Sequence, residues 1–178
     1  MRIFVAALLL SIVPGIATAQ TSTENDPKFS VQLTAGPTMI DGGHSVAAGF
    51  GFSPIPQLTL VATAQRDHLD FRQTPLSAFR GGTVTTVSGE ARYEPLPRLR
   101  VSPFVTAGMG WGQSEPNVEG PFTNPITSTA RTVFAGGGLR IPINPQLSVI
   151  AEARLMLVDE NNDVSGIAPL RVGLAWRF

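Results

Sequence analysis

Two-residue alternation is the feature that most constrains this chain. Near its end, Leu170, Val172, Leu174, Trp176 and Phe178 fall on one side, and Arg171, Gly173, Ala175 and Arg177 on the other. Successive side chains of a strand point to opposite faces, whereas an amphipathic helix repeats its apolar positions every three to four residues. The same period runs through residues 29–36, 58–65, 99–111 and 147–157, and more weakly through 46–52, 83–93 and 131–141. Together these make eight alternating segments, an even number.

The connections between segments also alternate. Ser53-Pro-Ile-Pro-Gln-Leu58 resembles Glu94-Pro-Leu-Pro-Arg-Leu99 and Pro142-Ile-Asn-Pro-Gln-Leu147, and each ends one segment and starts the next. Proline suits such turns, where no ladder donor is needed. The other connections, residues 38–45, 67–80, 112–128 and 158–166, are longer and more polar. Short turns on one side and long loops on the other are the asymmetry of an up-and-down barrel in a bacterial outer membrane. The two-sheet soluble sandwich is the structural alternative. It would place bulky rings in mid-strand, whereas Phe29, Phe52, Tyr93, Trp176 and Phe178 lie at strand ends on the short-turn side, and Trp111 lies at the opposite rim. Aromatics at both rims of an apolar band form the girdle of a membrane barrel.

Composition agrees. Of the 178 residues only 15% are charged, with 13 basic against 13 acidic side chains, which removes a basic nucleic-acid surface and an acidic tail. The absence of cysteine removes disulfides, thiol chemistry and Cys-ligated zinc. Arg2, the apolar run over residues 3–13 and Ala17-Thr18-Ala19 have the layout of a secretory signal peptide cleaved before Gln20. That run is shorter than the ~20 residues of a membrane-spanning helix. The expected organisation is a leader at residues 1–19, a short periplasmic segment at 20–27 and a barrel domain at 28–178. Both termini would lie on the periplasmic side.

Leu170-Arg-Val-Gly-Leu-Ala-Trp-Arg-Phe178 resembles the C-terminal signal of bacterial outer-membrane proteins, and residues 101–112 resemble a central strand of the small OmpA-, OmpX- and opacity-like barrels. The resemblance covers residues 28–178. It implies an all-β, eight-stranded antiparallel transmembrane barrel, with Leu174, Trp176 and Phe178 read by the barrel-assembly machinery. It also implies outer-membrane lipid and lipopolysaccharide as surroundings, without the peptidoglycan-binding domain of full-length OmpA relatives.

An eight-stranded barrel is just wide enough to be filled by side chains, so it is no general diffusion porin. The expected inward set is Glu90, Arg92, Arg98, Arg100, Arg140, Glu152, Arg154, Arg171 and Arg177, with Glu90 facing Arg100 and Glu152 near Arg171. Ion pairs would hold such a lumen together, since unpaired buried charge is costly. A narrow anion-preferring path is the alternative, because inward Arg outnumbers Glu in this set.

A lipid-modifying enzyme would need a nucleophile and base at the rim, such as a Ser-His-carboxylate set. Only His44 and His68 are present, both read as loop residues, and neither matches a lipid A deacylase or palmitoyltransferase pattern. Asp159-Glu-Asn-Asn-Asp163 begins like a calcium loop, but Val164 stands where Gly is needed and Leu170 where the bidentate Glu belongs. No cofactor, metal or nucleic acid is expected. Recognition of an extracellular surface ligand falls to the long loops, to which Phe71, Leu76, Phe79 and Phe122 give apolar content.

Overall fold

The computed structural model describes residues 28–39, 42–70, 82–116, 128–160 and 163–178. Strand segments in chain order are β1 (Phe29–Pro37), β2 (His44–Ile55), β3 (Leu58–Leu69), β4 (Gly82–Tyr93) and β5 (Ser102–Pro116), followed by β6 (Ser128–Pro142), β7 (Leu147–Glu160), β8 (Asp163–Ile167) and β9 (Leu170–Arg177). Neighbours from β1 to β7 pair antiparallel. Both β8 and β9 pair with β7, and β9 also pairs with β1. The sheet thus closes on itself, which excludes the sandwich and leaves no edge for another chain to pair with. Around the closure, the Phe29 and Phe178 amides each donate to the other's carbonyl, at 3.1 and 2.9 Å.

Segments β8 and β9 form one barrel strand. Their register against β7 is continuous, from Met156 opposite Ile167 to Ala153 opposite Leu170. The interruption falls at Ala168-Pro169. Proline has no N–H for the ladder, although its carbonyl still accepts from the Arg154 amide at 3.1 Å. The eight alternating segments of the sequence are therefore the eight strands of a closed up-and-down barrel.

Burial is inside out. Leu33, Val87, Val105, Met109, Leu155, Val172 and Leu174 face outward and are exposed, while Gln32, Thr34, Thr63, Gln65, Thr86 and Thr106 face inward and are buried. A water-soluble domain has the opposite arrangement. A continuous apolar band of this size around the outside is stable only against lipid.

Two boundaries differ from the sequence reading. The turn after β4 is longer, and β5 starts at Ser102, not Leu99. Here the Leu99 amide donates to the Leu96 carbonyl and the Ser102 hydroxyl to the Leu99 carbonyl, so local bonds replace ladder bonds. At the other end the strands run further than expected. Pairing continues to Glu160 opposite Asp163, so Asp159, Glu160 and Asp163 stand in strands. The leader over residues 1–19 and the segment 20–27 lie outside the described residues, as do Phe71, Leu76, Phe79 and Phe122.

Candidate functional site

The lumen is layered along the barrel axis. At the short-turn end, Glu94 receives Arg140 Nε at 2.8 Å and Arg177 Nη2 at 3.2 Å. Arg140 also donates to the Pro97 carbonyl at 2.8 Å, tying the barrel wall to the turn. Phe104, Ile150 and Ala175 form an apolar layer above it. At the long-loop end a larger apolar layer comprises Leu69, Val84, Phe134, Met156, Val158 and Ile167.

Between the apolar layers lies a charged network. Glu152 on β7, 2% exposed, is its hub. It receives Arg171 Nη2 at 2.7 Å and Nε at 2.9 Å, Arg154 Nη2 at 3.0 Å and Arg92 Nη2 at 3.5 Å. Glu90 on β4 takes Arg154 Nη1 at 2.5 Å and Arg92 Nη2 at 3.2 Å. Amide side chains carry the network to two more strands. Arg171 Nη1 donates to Gln65 Oε1 at 2.7 Å, and Arg92 Nη1 to Gln32 Oε1 at 2.9 Å. Bonds therefore span the lumen between β1, β3, β4, β7 and β9.

Rings complete these contacts. The Arg92 guanidinium lies 4.5 Å from the Phe104 ring centre and that of Arg154 4.9 Å from Phe134, a cation–π arrangement that grows stronger where water is excluded. Each ring needs a glycine beside it. Gly138 pairs with Phe104 and Gly108 with Phe134 across β5 and β6. A Cβ at either glycine would press on the neighbouring ring. The triple glycine over residues 136–138 is thus partly explained by close packing in the lumen.

The expected inward set divides. Glu90, Arg92, Arg140, Glu152, Arg154 and Arg171 are buried in the lumen, and Arg177 sits half-buried at its mouth. Glu152 meets Arg171, their register partner. Arg98 and Arg100 do not belong to the set. Both are exposed in the turn before β5, where no ladder holds them inward, and Glu90 lies opposite Gly108, not Arg100. Sequence reasoning also passed over Glu94 and Asp67, both buried. Glu94 shares the parity of Glu90 and Arg92, a signal hidden by assigning it to the turn. Asp67 shares the parity of Gln65, whose Nε2 donates to it at 2.6 Å. Among the described residues the buried charges are four arginines and four acids, so the excess of inward Arg shrinks to the half-buried Arg177.

Apart from the lumen rings of Phe104 and Phe134, the strand-end aromatics project outward. Phe29 is central to a cluster with Phe52 at 5.5 Å, Phe50 at 5.9 Å and Phe178 at 6.3 Å between ring centres. Tyr93, Trp176 and Phe178 are exposed at the same end, and Trp111, 61% exposed, at the other. Leu174 and Trp176 project outward beside them on β9.

His44 and His68 stand on β2 and β3, contrary to their reading as loop residues, and they are register partners. Ser45 points inward, away from the exposed ring of His44, so the two form no nucleophile–base pair. Among the described residues, no group of three or more His, Cys, Asp or Glu side chains is placed to hold a metal ion.

A closed ring of strands, an apolar exterior and a charged interior define a transmembrane β-barrel of the small outer-membrane type. The chain belongs to the outer membrane protein beta-barrel domain family, which it matches over residues 5–178. Among solved structures it is similar to Neisserial surface protein A, with a TM-score of 0.68 at 18% identity, over 84% of this chain and 97% of that one. It is similar also to the attachment invasion locus protein Ail of Yersinia pestis in complex with the heparin analogue sucrose octasulfate. That match has a TM-score of 0.55 at 13% identity, over 86% of this chain and 99% of the other. The N-terminal barrel domain of Pseudomonas aeruginosa OprF has a TM-score of 0.54 at 17% identity, over 84% and 97%. No curated protein sequence matches the chain.

Proposed function

We propose that this barrel is a non-catalytic scaffold of the outer membrane, serving envelope integrity or contact with an external surface ligand. The observation that carries the reading is the lumen. Buried ion pairs and amide bonds cross it between two apolar layers, which supports a structural interior over a transport path. The work of the protein then falls to its outer surface and its long-loop end. In this reading the leader at residues 1–19 exports the chain. Leu174, Trp176 and Phe178 engage the assembly machinery, and the outward aromatics hold the barrel between lipid and lipopolysaccharide. The barrel of Ail takes a sulfated heparin analogue, which makes a sulfated glycan the first external ligand to try.

Cell fractionation with boiled and unboiled gel samples tests the placement. Recovery in the outer membrane with a heat-dependent mobility shift is expected; a soluble periplasmic product without a shift would overturn the scheme. Planar bilayer recordings test the sealed lumen. No stable single-channel current is expected, and a steady current altered by Arg154→Gln would replace the scaffold by a narrow channel. Lipid A mass spectra with and without the gene should be identical; a changed acyl pattern would restore the enzyme reading.

A further inference from the structure

His44 and His68 are separated by the whole β2–β3 hairpin in sequence, yet the register sets them directly opposite each other at the long-loop rim. Their ring centres lie 5.2 Å apart with planes inclined by 38°. His44 is exposed and His68 half-buried, both on the outward face. On the far side of His68, its Nδ1 lies 3.4 Å from the Thr83 hydroxyl on β4, and Thr83 is its register partner there.

From this placement we propose that the His44–His68 pair is a surface site for a borderline divalent metal ion such as Zn2+, with solvent or an external ligand completing the coordination. The spacing supports this. Zinc binds imidazole nitrogen at about 2.0–2.1 Å in tetrahedral geometry, and adding a ring radius of about 1.2 Å places two imidazoles on one ion with centres about 5.2 Å apart. The Thr83 contact supports it as well. A metal-bound histidine has its other ring nitrogen engaged by a hydrogen-bond partner that fixes the ring, and Thr83 stands at Nδ1 of His68, leaving Nε2 for the ion. The scaffold supports it too, because the two ligands come from adjacent, register-locked strands and binding need not order a loop. Among the described residues no group of three protein ligands is present, so the site is an open two-histidine platform and not a closed structural centre. This assignment stands apart from the envelope role proposed above.

The test is calorimetric titration of Zn2+ alone into the untagged full chain in detergent micelles, with heat-dependent gel mobility as the check on folding. One saturable site per chain is expected. His44→Gln and His68→Gln, which keep polar side chains at the rim, should each weaken it at least about tenfold, and Thr83→Val should weaken it about tenfold by freeing the ring, the lower end of the effect of removing such a partner. Absence of saturable binding in the wild-type chain would overturn the proposal. So would binding that survives both histidine substitutions in folded protein, since the ion would then sit elsewhere. If His68→Gln abolishes binding while His44→Gln leaves it unchanged, the shared site is equally refuted.

Discussion

Replacing Glu152 by Gln removes one charge from the centre of the lumen while keeping its shape. Three guanidiniums converge on this carboxylate, and the closest, Arg171, is fully buried. In the variant Arg92 and Arg154 retain the Glu90 carboxylate, but Arg171 keeps only neutral amide oxygens, those of Gln65 and of the introduced side chain, among its close partners in the network. Breaking a buried pair by removing one partner costs about 3–5 kcal/mol, because the other charge stays in a poor environment. At a urea m-value of about 2 kcal/mol/M, that loss lowers the unfolding midpoint by about 2 M. Tryptophan fluorescence during urea unfolding in lipid vesicles reads this directly, since Trp111 and Trp176 both face outward. Adding Arg171→Met to Glu152→Gln restores charge balance and should recover more than half of the loss, a coupling visible in a double-mutant cycle. A midpoint shift under about 0.5 M for Glu152→Gln would refute the reasoning. So would a double variant whose two losses simply add, because the charges would then be independently solvated.

Three further outcomes follow from the same geometry. Gly138→Val places side-chain atoms against the Phe104 ring and the Ala151 backbone, so it should destabilise the barrel by at least about 1–3 kcal/mol and reduce the heat-modifiable fraction on gels. Leu174→Arg, at an outward position paired with Leu33 and Val149 one step inside Trp176, should cost at most about 2–4 kcal/mol in bilayers, the midplane value; its penalty should shrink in a short-chain detergent. Arg100→Gln changes an exposed turn residue and should leave stability within about 0.5 kcal/mol, whereas Arg140→Gln, which loses the Glu94 contact, should be clearly destabilised in the same urea titration.

The architecture was legible from sequence because a closed barrel writes itself locally. Each strand buries one face and offers the other to lipid, so the period of two marks the strands, and proline-bearing turns mark the ends. Parity along regular strands puts Glu90, Arg92, Arg140, Glu152, Arg154 and Arg171 on the inward side, and their side chains are buried there. Parity failed where the chain leaves the ladder. Extending the period of β5 backwards puts Arg98 and Arg100 inward, but local turn bonds decide that segment and release both side chains. Glu94 and Asp67 show the opposite: their sequence neighbours mark a turn and a loop, yet both continue the inward parity of β4 and β3.

What the sequence alone determined was strand number, the sidedness of each strand and the asymmetry of turns and loops, all properties of contiguous residues. Only the tertiary structure decided which inward charges meet. Arg171 with Gln65, Arg92 with Gln32 and Arg154 with Glu90 are contacts across the lumen, set by the ring closure and strand stagger that bring distant strands face to face. The pairing of His44 with His68 has the same origin, because register is a relation between strands and a one-residue slip would turn one ring inward.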